Sequence, residues 1–319
     1  MSLSRRCRSA APSSVSCHAP PGSAQEVGIS YLGLPNDVRP GDTLLLDDGM
    51  MQLRVERIEG ERIITTVLND GALSDRKGLN RLGGGLSLGA LTDRDRELIG
   101  VAAQLGAEFI AVSFCRNAAD MEEARSIARS HGSDAALMAK IERAEAIENL
   151  TEIIDASDAV MVARGDLGVE IGDAELPGLQ KKIIRESLAR GKVVITATQM
   201  LQSMVDNPIP TRAEVLDVAN AVIDGTDAVM LSAETAAGQY PRLAVEAMSR
   251  IIVEIEKHPR IAGADDREER ESAVSTEHAI AAAATSAVRS LSAPALIVFT
   301  KSGFSARIVA SHRPNVPIL

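Results

Sequence analysis

From Val27 to about Leu86 the apolar residues come in short runs separated by turn formers. Val38-Arg39-Pro40-Gly41-Asp42 reads as a turn before Thr43-Leu44-Leu45-Leu46, and Asp47-Asp48-Gly49 as a hairpin turn before Met51-Gln52-Leu53-Arg54-Val55. Gly60 separates that strand from Arg62-Ile63-Ile64-Thr65-Thr66-Val67-Leu68, and Asn69-Asp70-Gly71 closes the next one. The period of two predicts a small all-β module.

From Leu88 onward apolar runs alternate with helical periods, the pattern of βα units around a parallel sheet. Phe109–Phe114 precedes a helix near Met121–Ser130, and Ala136–Glu142 precedes one near Ala144–Asp155. Ala159–Ala163 is followed by a helix near Leu179–Arg190, and Val193–Ala197 by one starting at Thr211. Thr211-Arg212-Ala213-Glu214 has the form of a capping box, in which hydroxyl and carboxylate satisfy orphan amides. Ala228-Val229-Met230-Leu231 leads into a long helix from about Pro241 to Lys257, which makes five βα units. A small-residue helix near Thr276–Leu291 and a strand Ala295–Phe299 then begin another α/β unit.

Met1–Gln25 is rich in Ser, Pro and Ala, with Arg5, Arg6 and Arg8 and no acidic residue. Such a composition offers no core and predicts a disordered or wrongly translated leader, with an organelle transit peptide as the alternative. Expected boundaries are a leader over 1–26, the β-module over 27–87, the βα region over 88–263 and the start of a C-terminal α/β domain over 264–319.

Hydrophobic residues make up 45% of the 319, aromatics only 2%, so the interior must be built from aliphatic side chains and Met. A formal charge of −10 argues against a nucleic-acid partner. An anionic phosphate substrate then needs local cations or a metal. No apolar run approaches a membrane span. Cys7, Cys17 and Cys115 are too few and scattered for a disulfide framework, which makes a reducing cytoplasm the default.

The strand ends carry the candidate chemistry, because a βα barrel builds its site from the C-terminal ends of its strands. In order they present Ser113 and Arg116, Lys140 and Glu142, Arg164-Gly165-Asp166, Thr198-Gln199, then Ser232 and Glu234. Lys140 and Glu142, two apart, share one face of a strand, and read either as a solvated ion pair or as part of a phosphate and metal site. Glu142 and Asp166 are the acidic residues at two neighbouring strand ends, which suits a shared Mg2+ better than zinc. Arg164-Gly165-Asp166-Leu167-Gly168 reads as a turn with an N-cap Asp or as an anion-binding helix start. Thr198 packs, positions a water or faces a reacting carbon; Ser232 and Glu234 cap a helix or relay a proton; Arg116 binds an anion or, the favoured reading, pairs with a surface acid. Asp48 and Lys77 are hairpin surface residues unless the β-module closes over the barrel as a lid.

Met138–Glu145, Met161–Glu170, Thr196–Leu201, Asn207–Glu214 and Asp224–Thr235 together closely resemble the pyruvate kinase family, in a bacterial form, and the resemblance runs from about Val27 to Leu319. It implies phosphoryl transfer between phosphoenolpyruvate and ADP, giving pyruvate and ATP, with Mg2+ or Mn2+ as cofactor and K+ in many members. It implies that Lys140 faces the moving phosphoryl group and stabilises the enolate, and that Glu142 and Asp166 hold the divalent cation. Arg164, Gly165 and Asp166 fall in the substrate-binding segment, whose amides receive the substrate carboxylate. Thr198 lies by the carbon that gains a proton, Ser232 and Glu234 belong to the catalytic set, and Asp48 and Lys77 fall in the lid. A homotetramer in the cytoplasm is usual for the family.

The chain also departs from the family. An Arg-x-Asn-x-Ser-His segment and an Asp-Thr-Lys-Gly-Pro segment, which supply the K+ site and phosphate contacts, do not occur. The expected fold is therefore α/β: a partial TIM barrel of five of eight strands, an inserted β-barrel lid domain and an incomplete C-terminal domain, from a truncated or misread gene product with impaired activity. The alternatives are a catalytically dead fragment, or another metal-dependent barrel lyase acting on enolates.

Overall fold

A computed structural model describes residues 5–7, 12–16, 23, 26–47, 49–73, 77–257 and 275–319. The chain forms two compact units, Met1–Lys182 with Thr196–Gln199, and Ile183–Ile195 with Met200–Leu319.

The first unit opens with the β-module. Its elements are β1 (Arg5–Cys7), β2 (Pro12–Ser16), β3 (Glu26–Gly28), α1 (Leu34–Asp37), β4 (Thr43–Leu46), β5 (Met51–Glu59), β6 (Arg62–Val67), β7 (Gly71–Leu73) and β8 (Leu79–Arg81). Six strands form one sheet in the order β3-β2-β6-β5-β4-β8, and β1 pairs with β7. Period-two patterning explains β5: Met51, Leu53 and Val55 are buried while Gln52 and Arg54 face water. Leu34, Leu44, Leu53 and Ile63 lie in the core beneath.

Here the structure differs from the expectation for the leader. Pro12–Ser16 runs antiparallel to β6, with Val15 fully buried in the module's core. Ser13 and Ser14 are buried as well. Ser13 can be buried because its hydroxyl and that of Thr65 hydrogen-bond at 2.7 Å. Serine content alone concealed this strand.

The remainder of the unit is βα in character: α2 (Asp93–Gln104), β9 (Phe109–Val112), α3 (Ala118–Ser130), β10 (Ala136–Ile141), α4 (Ala144–Glu148), α5 (Leu150–Ala156), β11 (Ala159–Ala163), α6 (Arg164–Ile171) and the start of α7 (Leu176–Ala189). β10 lies between β9 and β11, parallel to both. Every residue of β11 is buried, as a parallel strand covered on both faces requires. The helix expected over 144–155 is two helices meeting at Asn149, whose side-chain amide donates to the Arg116 carbonyl at 2.8 Å.

β12 (Val193–Ala197) begins in the second unit and ends in the first. After a 3-10 turn at Gln202–Val205, the second unit continues with α8 (Arg212–Ile223), β13 (Ala228–Val229), α9 (Ala233–Ala236), α10 (Pro241–Glu256), α11 (Thr276–Leu291) and α12 (Phe304–Ser311). The capping box at Thr211 forms with both of its hydrogen bonds. α8 and α10 enclose a core that includes Met200, Met204, Val218, Ala247 and Met248. Asp227 accepts the Val194 amide at 2.9 Å and Nη2 and Nε of Arg313 at 2.6 to 3.1 Å. The run expected as a strand over 295–299 pairs in parallel with 317–319, through the Leu296–Ile318 bridge and the Leu296, Val298 and Leu319 amides, which donate to Pro317, Leu319 and Leu296 at 2.8 to 2.9 Å, while Ile297 and Phe299 are exposed.

The architecture is thus α/β, with a partial, open barrel sheet and a short C-terminal α/β region. Among the described residues no helix is long and apolar enough to cross a membrane.

Candidate active site

Three consecutive strand ends of the first unit converge on one carboxylate. Glu142 lies one residue past β10 and is 1% exposed. Its Oε1 pairs with Lys140 Nζ at 2.6 Å, and its Oε2 accepts the Phe114 amide at 2.8 Å. Lys140 also donates to Ser113 Oγ at 2.8 Å, so the ends of β9 and β10 are joined through one ammonium. Phe114 reaches its position with a left-handed backbone, φ 55°. Burial pushes the Glu142 carboxyl above its ordinary range; Lys140 and the Phe114 amide pull it back, while the nearby negative charge of Asp166 pushes it up again.

Asp166 occupies the first turn of α6, directly after β11. Arg164, two residues earlier, is buried and directs its guanidinium at the end of β12: Nη2 to the Thr198 carbonyl at 2.6 Å, Nε to the Ala197 carbonyl at 3.2 Å, and Nη1 to Gln180 Oε1 at 3.4 Å. The Gly165 amide donates to Thr198 Oγ1 at 2.8 Å, and the Thr198 hydroxyl donates to Ala197 O at 2.6 Å. Thr198 and Gln199 are both left-handed, φ 67° and 53°. For a β-branched residue that conformation is strained by about 1–3 kcal/mol, and it persists because Arg164 and Gly165 grip both sides of it.

The structure therefore brings Lys140, Glu142, Arg164, Gly165, Asp166 and Thr198 together within one unit. Ser232 and Glu234 belong to the second unit. There Glu234 is fully buried and accepts the amides of Leu201 at 3.0 Å and Ser232 at 2.7 Å. In the β-module Lys77 pairs with Asp47 at 2.8 Å, while Asp48 lies outside the described residues. Arg116 pairs with Asp120, whose carboxylate also accepts the Arg116 amide at 2.8 Å.

Two further residues escaped the sequence reading. Arg143 is buried and donates to the carbonyls of Leu86 at 2.6 Å and Leu88 at 3.1 Å, fastening the segment that leaves the β-module. Glu170 is buried too, with Oε2 accepting the Ala144 amide at 2.9 Å. A signal for Glu170 was present: it follows Asp166 by four residues, which places both carboxylates on one face of α6.

Among the described residues no cluster of three or more His, Cys, Asp or Glu is built to hold a metal. The two carboxylates Glu142 and Asp166 nevertheless fit Mg2+, which takes one or two carboxylates and completes its octahedron with water and substrate oxygens. Burial is the main cause of the raised Glu142 carboxyl and the Asp166 charge adds to it; a divalent cation held between the two would offset both.

The first unit thus presents a lysine, two acids and a left-handed threonine at the C-terminal ends of its parallel strands, where a βα fold places its chemistry. Residues 14–245 match the family model for the pyruvate kinase barrel domain, and residues 278–319 that for the pyruvate kinase alpha/beta domain. Pyruvate kinase II of Salmonella typhimurium is 52% identical over 301 residues, covering 93% of this chain and 62% of that protein. The pyruvate kinase of Haemophilus influenzae is 49% identical over 300 residues, covering 93% and 63%. A crystal structure of a pyruvate kinase from Cryptosporidium parvum superposes with a TM-score of 0.86 at 34% identity, over 99% of this chain and 66% of that one. The chain belongs to the pyruvate kinase family. It spans somewhat less than two thirds of the length of these relatives.

Proposed function

We propose that this chain carries the phosphoryl- and cation-handling wall of a pyruvate kinase, acting on phosphoenolpyruvate and ADP to give pyruvate and ATP. The carrying observation is the 2.6 Å pair between half-buried Lys140 and fully buried Glu142, with Lys140 held at the end of the neighbouring strand by Ser113 Oγ at 2.8 Å. Five of the eight barrel strands belong to the 88–263 region in this reading, with 27–87 as the lid domain and 264–319 in the C-terminal domain.

In the reaction the bond between the enol oxygen and phosphorus breaks as a β-phosphate oxygen of ADP takes the phosphoryl group. The enolate left behind gains a proton on carbon. Lys140 neutralises charge first on the phosphoryl oxygens and then on the enolate oxygen, in a site where burial strengthens its field. Glu142 and Asp166 would hold Mg2+ or Mn2+, which supplies Lewis-acid polarisation of the substrate oxygens when bound. Because the Gly165 amide is engaged by Thr198, a substrate carboxylate arriving there displaces the Thr198 hydroxyl and leaves it beside the reacting carbon. Arg164 acts by holding Ala197 and Thr198 in place. Ser232 and Glu234 shape the end of β13, and the lid residues Lys77 and Asp48 are assigned to the nucleotide by family resemblance. Cytoplasmic residence and a homotetramer follow the family, as does K+.

A second reading, a family member that folds without turning over alone, is supported by Phe109. That residue is 58% exposed on β9, whose partner among the described strands is β10. A lactate-dehydrogenase-coupled assay with phosphoenolpyruvate, ADP and Mg2+ decides between them. The kinase reading expects pyruvate formation at a reduced rate, lowered a further ~10²–10³-fold by Lys140→Met. Equal rates in the two proteins overturn it, and silence of a folded chain supports the second reading.

A further inference from the structure

The two carboxylates assigned above to the divalent cation sit beyond the strands that present them. The matched pairs of β10 and β11 end at Ile141 and Val162, so strand pairing does not itself set the spacing of Glu142 and Asp166. One side chain spans the gap. Glu170 follows Asp166 by one turn of α6, and its Oε2 accepts the amide of Ala144, two residues after Glu142, at 2.9 Å. Its Oε1 receives Asn80 Nδ2 at 3.5 Å, and its backbone carbonyl accepts the Gly83 amide at 2.9 Å. Glu170 is 2% exposed, with Arg143 supplying the neighbouring positive charge.

A buried carboxylate is costly unless its hydrogen bonds and charge are met. Here they are met by the segment after Glu142 and by the strand that leaves the β-module. Mg2+ and Mn2+ tolerate little departure from octahedral geometry, so a residue that fixes the distance between two ligand-bearing segments controls affinity without touching the ion.

Resting on the cation site proposed above, we infer that Glu170 is a positioning residue for that site: it ties the Glu142 segment to the helix carrying Asp166, and through Asn80 and Gly83 it fastens the β-module's last strand to the same helix. Glu170→Ala releases the Ala144 amide and lets the two carboxylates drift apart. Glu170→Gln keeps an acceptor oxygen and preserves the tie. Ala144→Pro removes the same hydrogen bond from the other end. Proline is tolerated at the first position of a helix, and Arg143 already has the extended backbone, φ −122° and ψ 152°, that a residue before proline needs.

The test is Mn2+ binding to the full 319-residue chain, followed by the electron paramagnetic resonance signal of free Mn2+, with circular dichroism on the same samples. Glu170→Ala and Ala144→Pro are expected to weaken Mn2+ binding about 10- to 100-fold, and Glu170→Gln to leave it near that of the unaltered chain. If Glu170→Ala loses its fold, Ala144→Pro decides. Unchanged binding in the folded variants, or an equal loss in Glu170→Gln, overturns the positioning role alone. Failure of the unaltered chain to bind Mn2+ overturns the cation site and the positioning role with it.

Discussion

Thr198 Oγ1 accepts the amide of Gly165 at 2.8 Å from a left-handed backbone, φ 67°, so one hydroxyl joins the end of β12 to the start of α6. Replacing it by an isosteric methyl tests what the tie contributes. Thr198→Val leaves the Gly165 amide without its acceptor and is expected to destabilise the chain by about 1–3 kcal/mol, whereas Thr198→Ser keeps the oxygen and most of the stability. Urea unfolding midpoints measure both.

Lys140→Met leaves Glu142 buried without its ammonium partner. Glu142 is fully buried but Lys140 is a quarter exposed, so breaking the pair from this side costs at most about 3–5 kcal/mol while the remaining charge persists. Burial already raises the Glu142 carboxyl, and loss of Lys140 raises it further, so acid relieves the variant by protonating Glu142. Urea unfolding of Lys140→Met at pH 5 and pH 8 is expected to show the larger deficit at pH 8.

Glu170 and Glu214 give opposite pH dependences. Burial holds the Glu170 carboxyl above its unfolded value. The folded state therefore binds the extra proton between the two values, and the stability present below the unfolded value is lost as pH rises through the folded one. Glu214 is raised by burial but brought down overall by hydrogen bonds from Ser203 and Thr211. Its contribution is present above the unfolded value and lost as pH falls through the folded one. Glu170→Gln should flatten the decline toward neutral pH, and Glu214→Gln should flatten the decline in acid; a pH series of unfolding free energies reads both slopes.

Glu234 accepts two backbone amides with two carboxylate oxygens, at 3.0 and 2.7 Å. Gln keeps one acceptor and turns its NH2 toward the second amide. Glu234→Gln is expected to cost about 1–3 kcal/mol of stability even before any effect on turnover, which thermal unfolding followed by circular dichroism checks.

How much of this was legible in the sequence depends on the range of the interaction. β5 and the capping box at Thr211 are written in residues two or three apart, and both form as read. The Lys140–Glu142 pair has the same local origin. Pro12–Ser16 was not legible, because Ser13 becomes buriable only through Thr65, which lies 52 residues away. The apolar run 295–299 reads as a strand, and Leu296 and Val298 do pair with 317–319, but Phe299 is 94% exposed. Arg164 read as a ligand contact from its motif. The carbonyls that hold its guanidinium lie 33 and 34 residues on, where no local pattern points. For Glu170 the four-residue spacing from Asp166 is local, but its partner Ala144 lies 26 residues away and is not.

The central claim is that Glu142 and Asp166 hold one divalent cation beside Lys140. Isothermal titration of Mn2+ into the chain, Glu142→Gln and Asp166→Asn tests it most directly. One site in the unaltered chain, weakened at least about tenfold by either substitution in a folded protein, is the predicted result. Binding that neither substitution alters would contradict it.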